Sequence, residues 1–308
     1  VVSFIETLAK SYPEQILKVL HVFVNLASDK HDDVVKKTLQ AGVHVYRRSL
    51  SLLCAQAGAA GKTSDDLRNA VKSLFNLKGN LAMHISSKKD VLRSLTIKFM
   101  ESVILCHSTV TSDANIVKTS ARNARLEPLG ADSVSLNDVP KNGSLFDITS
   151  FRKIGEQHTR DLLQVIFQML ESPSVYSMNN IRVVFNTLAS LGSHRSALMK
   201  IIVPDLLKSY SIFLTCQEKV KIKDLNSYKT CFKSTFLKLL KLTASISWHA
   251  ELISSLIGLG AKQQAEKARE MSTVAAVQSK NRRRSRYNTM ETETGAKKRR
   301  INKSDHKV

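Results

Sequence analysis

Apolar residues return every three or four positions through most of this chain, in blocks separated by short polar turns. Leu17, Leu20, Val24 and Ala27 fall at i, i+3, i+7 and i+10, one stripe of a helix over about 13–27, with Pro13 suited to its first turn. The polar run from Ser28 to Asp33 follows, and its carboxylates favour the start of a second helix over 33–55 that carries Val35, Leu39, Val43, Tyr46, Leu50 and Leu53. Gly58 and Gly61 mark its end, and Thr63-Ser64-Asp65-Asp66 offers the next N-cap. The same alternation predicts helices over 64–85 and 90–107, joined by Ser86 to Asp90, the second with Leu92, Leu95, Phe99 and Val103 on one face. The opening residues, Val1 to Lys10, read as the end of a further helix.

The rhythm stops from Ser108 to about Thr149, where Pro128, Gly130, Pro140 and Gly143 stand among many Ser, Asn and Asp residues. A connection this long is usually functional or unstructured. Helices resume over 150–171, 176–192, 195–214 and 225–244, then from Trp248 to Leu259 and from Ala261 to Met271, with a break near Gly258 and Gly260. Ile181, Val184, Phe185, Leu188 and Leu191 give the cleanest stripe. No segment is rich in strand signals. Helix pairs repeated along a chain stack into a solenoid, because each pair can bury its apolar face only against its neighbours. The expected fold is therefore all-α, a solenoid of antiparallel helix pairs with a long internal loop. The repeat domain spans 1–271, with irregular structure over about 108–149. Residues 272–308 form a polar, basic tail without periodicity, read as disordered.

Composition narrows this picture. With 43% hydrophobic residues in 308, the chain can bury one large core or two modest ones, and at 6% aromatic that core rests on Leu, Val and Ile. No apolar run reaches the roughly 18 residues of a membrane span, so no membrane partner is expected. The start, Val1-Val2-Ser3, has neither an initiator Met nor a basic leader and reads as a piece of a longer chain. Cys54, Cys106, Cys216 and Cys231 lie far apart in apolar helical stretches, without C-x-x-C or zinc spacing, and are expected to be buried thiols in a reducing compartment.

Chemistry is sparse. Gly61-Lys62-Thr63 resembles the end of a phosphate loop, but position 56 is Gln where that loop needs Gly, and a helix precedes it instead of a strand. No H-E-x-x-H or G-x-S-x-G occurs, and His84 and His107 lie on or near apolar faces that suit a structural role. Asn142-Gly143-Ser144 is a turn. Nothing assembles an acid, a base and an oxyanion site, so neither enzyme activity nor a cofactor is expected. Lys98, between Ile97 and Phe99, can pair with Glu101 one turn on.

The charge is +21, and residues 280–308 carry 11 Lys/Arg against 3 Asp/Glu, a net +8. This balance favours acidic partners, nucleic acid and phosphorylated proteins among them. Arg282, Arg283, Arg284 and Arg286 are separated by a short spacer from Lys297, Lys298, Arg299 and Arg300. Two cationic clusters on a flexible segment can engage two acidic pockets of an import receptor at once. The arrangement reads as a bipartite nuclear localisation signal, with a nonspecific RNA-binding tail or plain solubilising charge as alternatives.

Particular strings carry a resemblance. Asp29 before Val34-Val35-Lys36-Lys37, and Asp90-Val91-Leu92-Arg93, resemble the turn and second-helix start of a HEAT repeat. Ile97-Lys98-Phe99-Met100-Glu101, Ser135-Leu136-Asn137-Asp138-Val139-Pro140, and Leu259-Gly260 with Gln264-Ala265-Glu266-Lys267-Ala268-Arg269 are similar in order and spacing to the N-terminal domain of the symplekin family, over most of residues 1–271. The resemblance implies a HEAT/armadillo-like arc, a nuclear location and a non-catalytic scaffold of pre-mRNA cleavage and polyadenylation. It also implies that second helices line a concave face holding the phosphatase that acts on the RNA polymerase II C-terminal tail. Carried onto this chain, it puts Lys98 and Asn180 on or near that face. Arg182 and Asn186 join them because they lie off the apolar stripe of their helix. The partners so implied are that phosphatase, cleavage and polyadenylation factors, and an import receptor through the tail. Direct RNA binding by a basic helical protein is the alternative.

Overall fold

The computed structural model describes residues 1–12, 15–59, 65–110, 134–140, 146–171, 176–219 and 222–271. Among them are eleven α-helices and no strand. They are α1 (Val2–Ser11), α2 (Ile16–Leu26), α3 (Asp32–Ala59), α4 (Asp65–Ala82), α5 (Asp90–Cys106), α6 (Ile148–Glu171), α7 (Met178–His194), α8 (Met199–Thr215), α9 (Ile222–Leu240), α10 (His249–Gly258) and α11 (262–271). The expected helices are all present, with ends shifted by a few residues. Pro13 and the proposed cap at Thr63 and Ser64 lie outside the described residues, whereas Asp32 and Asp33, and Asp65 and Asp66, occupy the first turns of α3 and α4, where carboxylates complement the helix dipole. Ser177 caps α7, its hydroxyl accepting from the Asn180 N–H, so that helix begins at Met178.

The helices form two layers. In one, α1 packs on α3, α3 on α5, α5 on α7 and α7 on α9; in the other, α2 packs on α4, α6 on α8 and α8 on α10. Each helix of the first row also rests on its hairpin partner, α3 on α2 and α4, α5 on α4 and α6, α7 on α6 and α8. Side-chain size sets the spacing. α8 meets α9 through rings, with Tyr210 to Phe232 at 5.4 Å and Phe213 to Tyr228 at 5.7 Å between centroids. α4 meets α6 through Phe75 and Phe151, edge to face at 5.6 Å.

α5 lies at the middle of the stack and is buried on nearly every side. Leu92, Phe99, Val103 and Cys106 join the core of α1–α4, whereas Ile97, Met100, Ile104 and Leu105 join that of α6–α11. A helix apolar over most of its circumference is stable only when neighbours cover those sides. The whole Ile181 to Leu191 stripe is buried, and its Phe185 meets Phe232 of α9 at 4.8 Å.

The interval expected to be irregular contains ordered structure. Val134, Leu136 and Val139 are buried in the α1–α4 core. Ser135 and Asp138 close a capping box around a single turn, and the Leu136 N–H donates to the Ser108 carbonyl at 3.2 Å. Arg195, just past α7, is buried with its guanidinium donating to the Leu105 carbonyl at 2.8 Å and to the Ser108 hydroxyl at 3.0 Å. A cation at the carbonyl end of α5 complements that helix's dipole. Gly155 allows α6 to touch the same point, since a Cβ there would stand 2.7 Å from the His107 carbonyl oxygen. Gly260, at φ +69°, makes the left-handed turn between α10 and α11.

Cys54, Cys106 and Cys231 are buried, and burial pushes their thiols up to about 12, about 12 and about 11. Cys216 departs from the expectation: it follows the last turn of α8, where the core no longer covers it, and is only half-buried. His84 and His107 are bonded inside the fold, His84 to the Ala27 carbonyl at 3.0 Å. No helix among the described residues is long and apolar enough to cross a membrane.

Candidate functional site: the open face of the second helices

Because α3, α5 and α7 are flanked within their row and backed by the other layer, each keeps one stripe open, on the side away from the first helices. On α3 that stripe carries Lys37, Gln40 and His44, on α5 Lys98, and on α7 Arg182 and Asn186, all exposed. The face is cationic, and helical period dictates why: these positions fall between the apolar ones that face the partner helices.

Lys98 is held in place. Its ammonium donates to Glu101 at 2.8 Å and to the Thr187 hydroxyl at 3.4 Å, and that hydroxyl donates to the same carboxylate at 3.3 Å. Glu101 is mostly covered, at 12% side-chain exposure, whereas Lys98 is 49% exposed. The expected one-turn pair is therefore present, and it also ties α5 to α7. A half-exposed ammonium fixed by a covered carboxylate is a positioned charge that needs little ordering to meet an anionic partner.

Asn180 lies elsewhere than expected. It is fully buried in the seam between α5 and α7, where its amide donates to the Asp90 carbonyl at 2.9 Å and the Ser94 hydroxyl at 2.7 Å. The reason is its place in the first turn of α7, directly over the first turn of α5. Beside it, Arg93 pairs with Asp90 and stacks on Tyr176, 4.7 Å from the ring centroid.

Arg182 and Asn186 come together with α9 in a groove of about 330 Å³. Its floor is Phe185 and Cys231, and its far wall includes Asn226, Thr230 and Ser234. The Lys238 ammonium donates to the Asn186 side-chain oxygen at 3.3 Å. The α9 contribution was not anticipated. The signal was nonetheless in the sequence: Asn226, Thr230, Ser234 and Lys238 recur every four residues, a polar stripe whose partner only the packing reveals. The structure thus brings Arg182 and Asn186 together, places Lys98 on the adjoining part of the same face, and withdraws Asn180 into the interior. Arg282 to Arg286 and Lys297 to Arg300 lie outside the described residues. Among the described residues no three His, Cys, Asp or Glu side chains are arranged to hold a metal ion.

A two-layered stack of antiparallel helix pairs, offering an open row of second helices, defines the class: an all-α repeat protein of the HEAT/armadillo type. The model of one family, the symplekin/PTA1 N-terminal domain, matches residues 31–284, most of the chain, and the chain belongs to that family. The family is one of scaffolds rather than catalysts, and it suggests a role in mRNA 3′-end processing in the nucleus.

Proposed function

We propose that this chain is a non-catalytic nuclear scaffold of cleavage and polyadenylation whose second-helix face holds the phosphatase of the RNA polymerase II C-terminal tail. The observation that carries the reading is Lys98, an exposed cation fixed on that face by Glu101 and Thr187. Arg182 and Asn186 extend the contact along α7. The face also serves other cleavage and polyadenylation factors, and the two clusters Arg282 to Arg286 and Lys297 to Arg300 engage an import receptor.

Pull-down of the phosphatase by the full chain, compared with Lys98→Glu and Arg182→Glu, tests this. Both should lose capture; Arg182→Glu sits on open surface and leaves the thermal midpoint unchanged, whereas Lys98→Glu also lowers it, because it sets a second carboxylate beside the covered Glu101. Undiminished capture by both variants would overturn the placement.

The +21 charge favours a second reading, direct RNA binding. It predicts affinity that falls with salt by roughly 0.7 to 0.9 log units per log unit for each phosphate contact. Removing 280–308 separates tail from body: RNA affinity retained after that deletion would locate the contact on the helices.

A further inference from the structure

The groove between α7 and α9 has a chemistry of its own. Its walls are side-chain amides and hydroxyls together with Arg182, and Lys238, one turn beyond Ser234 on α9, donates to the lining residue Asn186. No Asp or Glu lines it among the described residues. Arg182 and Asn186 stand one helical turn apart, a rise of about 6 Å. The Lys238 ammonium lies 3.3 Å from the oxygen of Asn186, the residue one turn along α7 from Arg182. In an extended peptide, side chains on one face recur at about 6.6 Å. Two carboxylates at alternate positions match that spacing. Amides supply both a donor and an acceptor, the pair a peptide backbone needs. Lys238 occupies the oxygen of Asn186 and so leaves that amide's N–H groups toward a ligand carbonyl.

Single-stranded nucleic acid fits less well. It is held by aromatic faces on which bases stack. The ring in this groove, Phe185, is 1% exposed and packed against Phe232, so no base can lie on it.

We propose that the α7–α9 groove binds an extended acidic segment of a partner protein, with Asp or Glu at alternate positions paired to Arg182 and Lys238. The inference rests on the reading of the second-helix face as a protein-binding surface, and it adds a peptide subsite that works without the rest of the partner.

The test uses the full chain and a labelled peptide alternating Glu and Ser, followed by fluorescence anisotropy. The basic tail attracts any anion, so the comparison is between variants of equal charge. Arg182→Glu and Lys238→Glu alter the groove; Lys200→Glu makes the same charge change on an exposed position of α8, in the other layer. The expected result is a loss of about tenfold for each groove variant and less than about twofold for Lys200→Glu, as for a local pair against a diffuse field. Equal losses in all three would reduce the effect to net charge and overturn the proposal. Tighter binding of a uridine oligonucleotide, lost in the groove variants alone, would also overturn it. Failure here with phosphatase capture intact would remove the subsite and leave the scaffold reading standing.

Discussion

Tyr46 and His107, from the middle of α3 and the end of α5, meet inside the core at 2.6 Å. The imidazole Nδ1 faces the Phe151 carbonyl at 3.1 Å, which can only accept, so Nδ1 carries the proton and Nε2 receives the tyrosine hydroxyl. Phe151 stacks on the same ring at 4.6 Å. One side chain thereby joins α3, α5 and α6, helices of three successive hairpins.

Burial, first among its causes, pushes the His107 pKa down from 6.5 to about 3. The folded protein keeps this imidazole neutral while the unfolded chain takes up a proton below about pH 6.5. Stability from this group is full above that pH and declines as pH falls toward 3, by at most about 1.4 kcal/mol per pH unit. Urea denaturation at pH 7 and pH 5 should show a smaller difference for His107→Gln than for the wild type; equal differences would show that His107 does not titrate in this way.

Asn180→Ala should destabilise the fold by about 1–3 kcal/mol, since it leaves the Asp90 carbonyl and Ser94 hydroxyl without their buried donor. Arg182→Ala, two positions on but exposed, should stay within about 0.5 kcal/mol. Chemical denaturation of the pair checks the assignment of one residue to the seam and the other to the face.

Gly155→Ala should cost about 1–3 kcal/mol, because the added methyl would stand 2.7 Å from a backbone oxygen that cannot rotate away. A thermal midpoint equal to that of wild type would mean that α6 is not seated against His107.

Phe99→Ala should cost about 3–5 kcal/mol. The ring is fully buried, edge-on to Tyr46 at 5.8 Å, in the side of α5 that closes the first core. An unaltered denaturation midpoint would contradict that burial.

Part of the face is legible in the sequence. Lys98 with Glu101 follows from one-turn spacing, and Arg182 and Asn186 follow from lying off the Ile181 to Leu191 stripe. The resemblance puts Asn180 on or near that face, but the structure buries it, because matching strings assign a residue to a helix without saying what covers it there. Arg195 was missed for the same reason: a lone arginine after a helix resembles a surface charge, and only the approach of α7 to the carbonyl end of α5 shows it capping Leu105. The docked turn at Ser135 to Asp138 carries a capping-box signature, yet its surrounding Pro, Gly and Ser residues pointed to loop.

The sequence by itself determined that this chain makes amphipathic helices, where they start and end to within a few residues, and that they stack in pairs. These are local matters, set by a period of 3.6 residues and by turn residues that interrupt it. The tertiary structure alone decided which polar residues became interior ties and which became surface. That choice depends on neighbours dozens of residues away: α5 lies over Asn180, and α9 lies beside Arg182 and Asn186. A polar side chain becomes a structural tie when another helix buries it, and a point of contact for partners when none does.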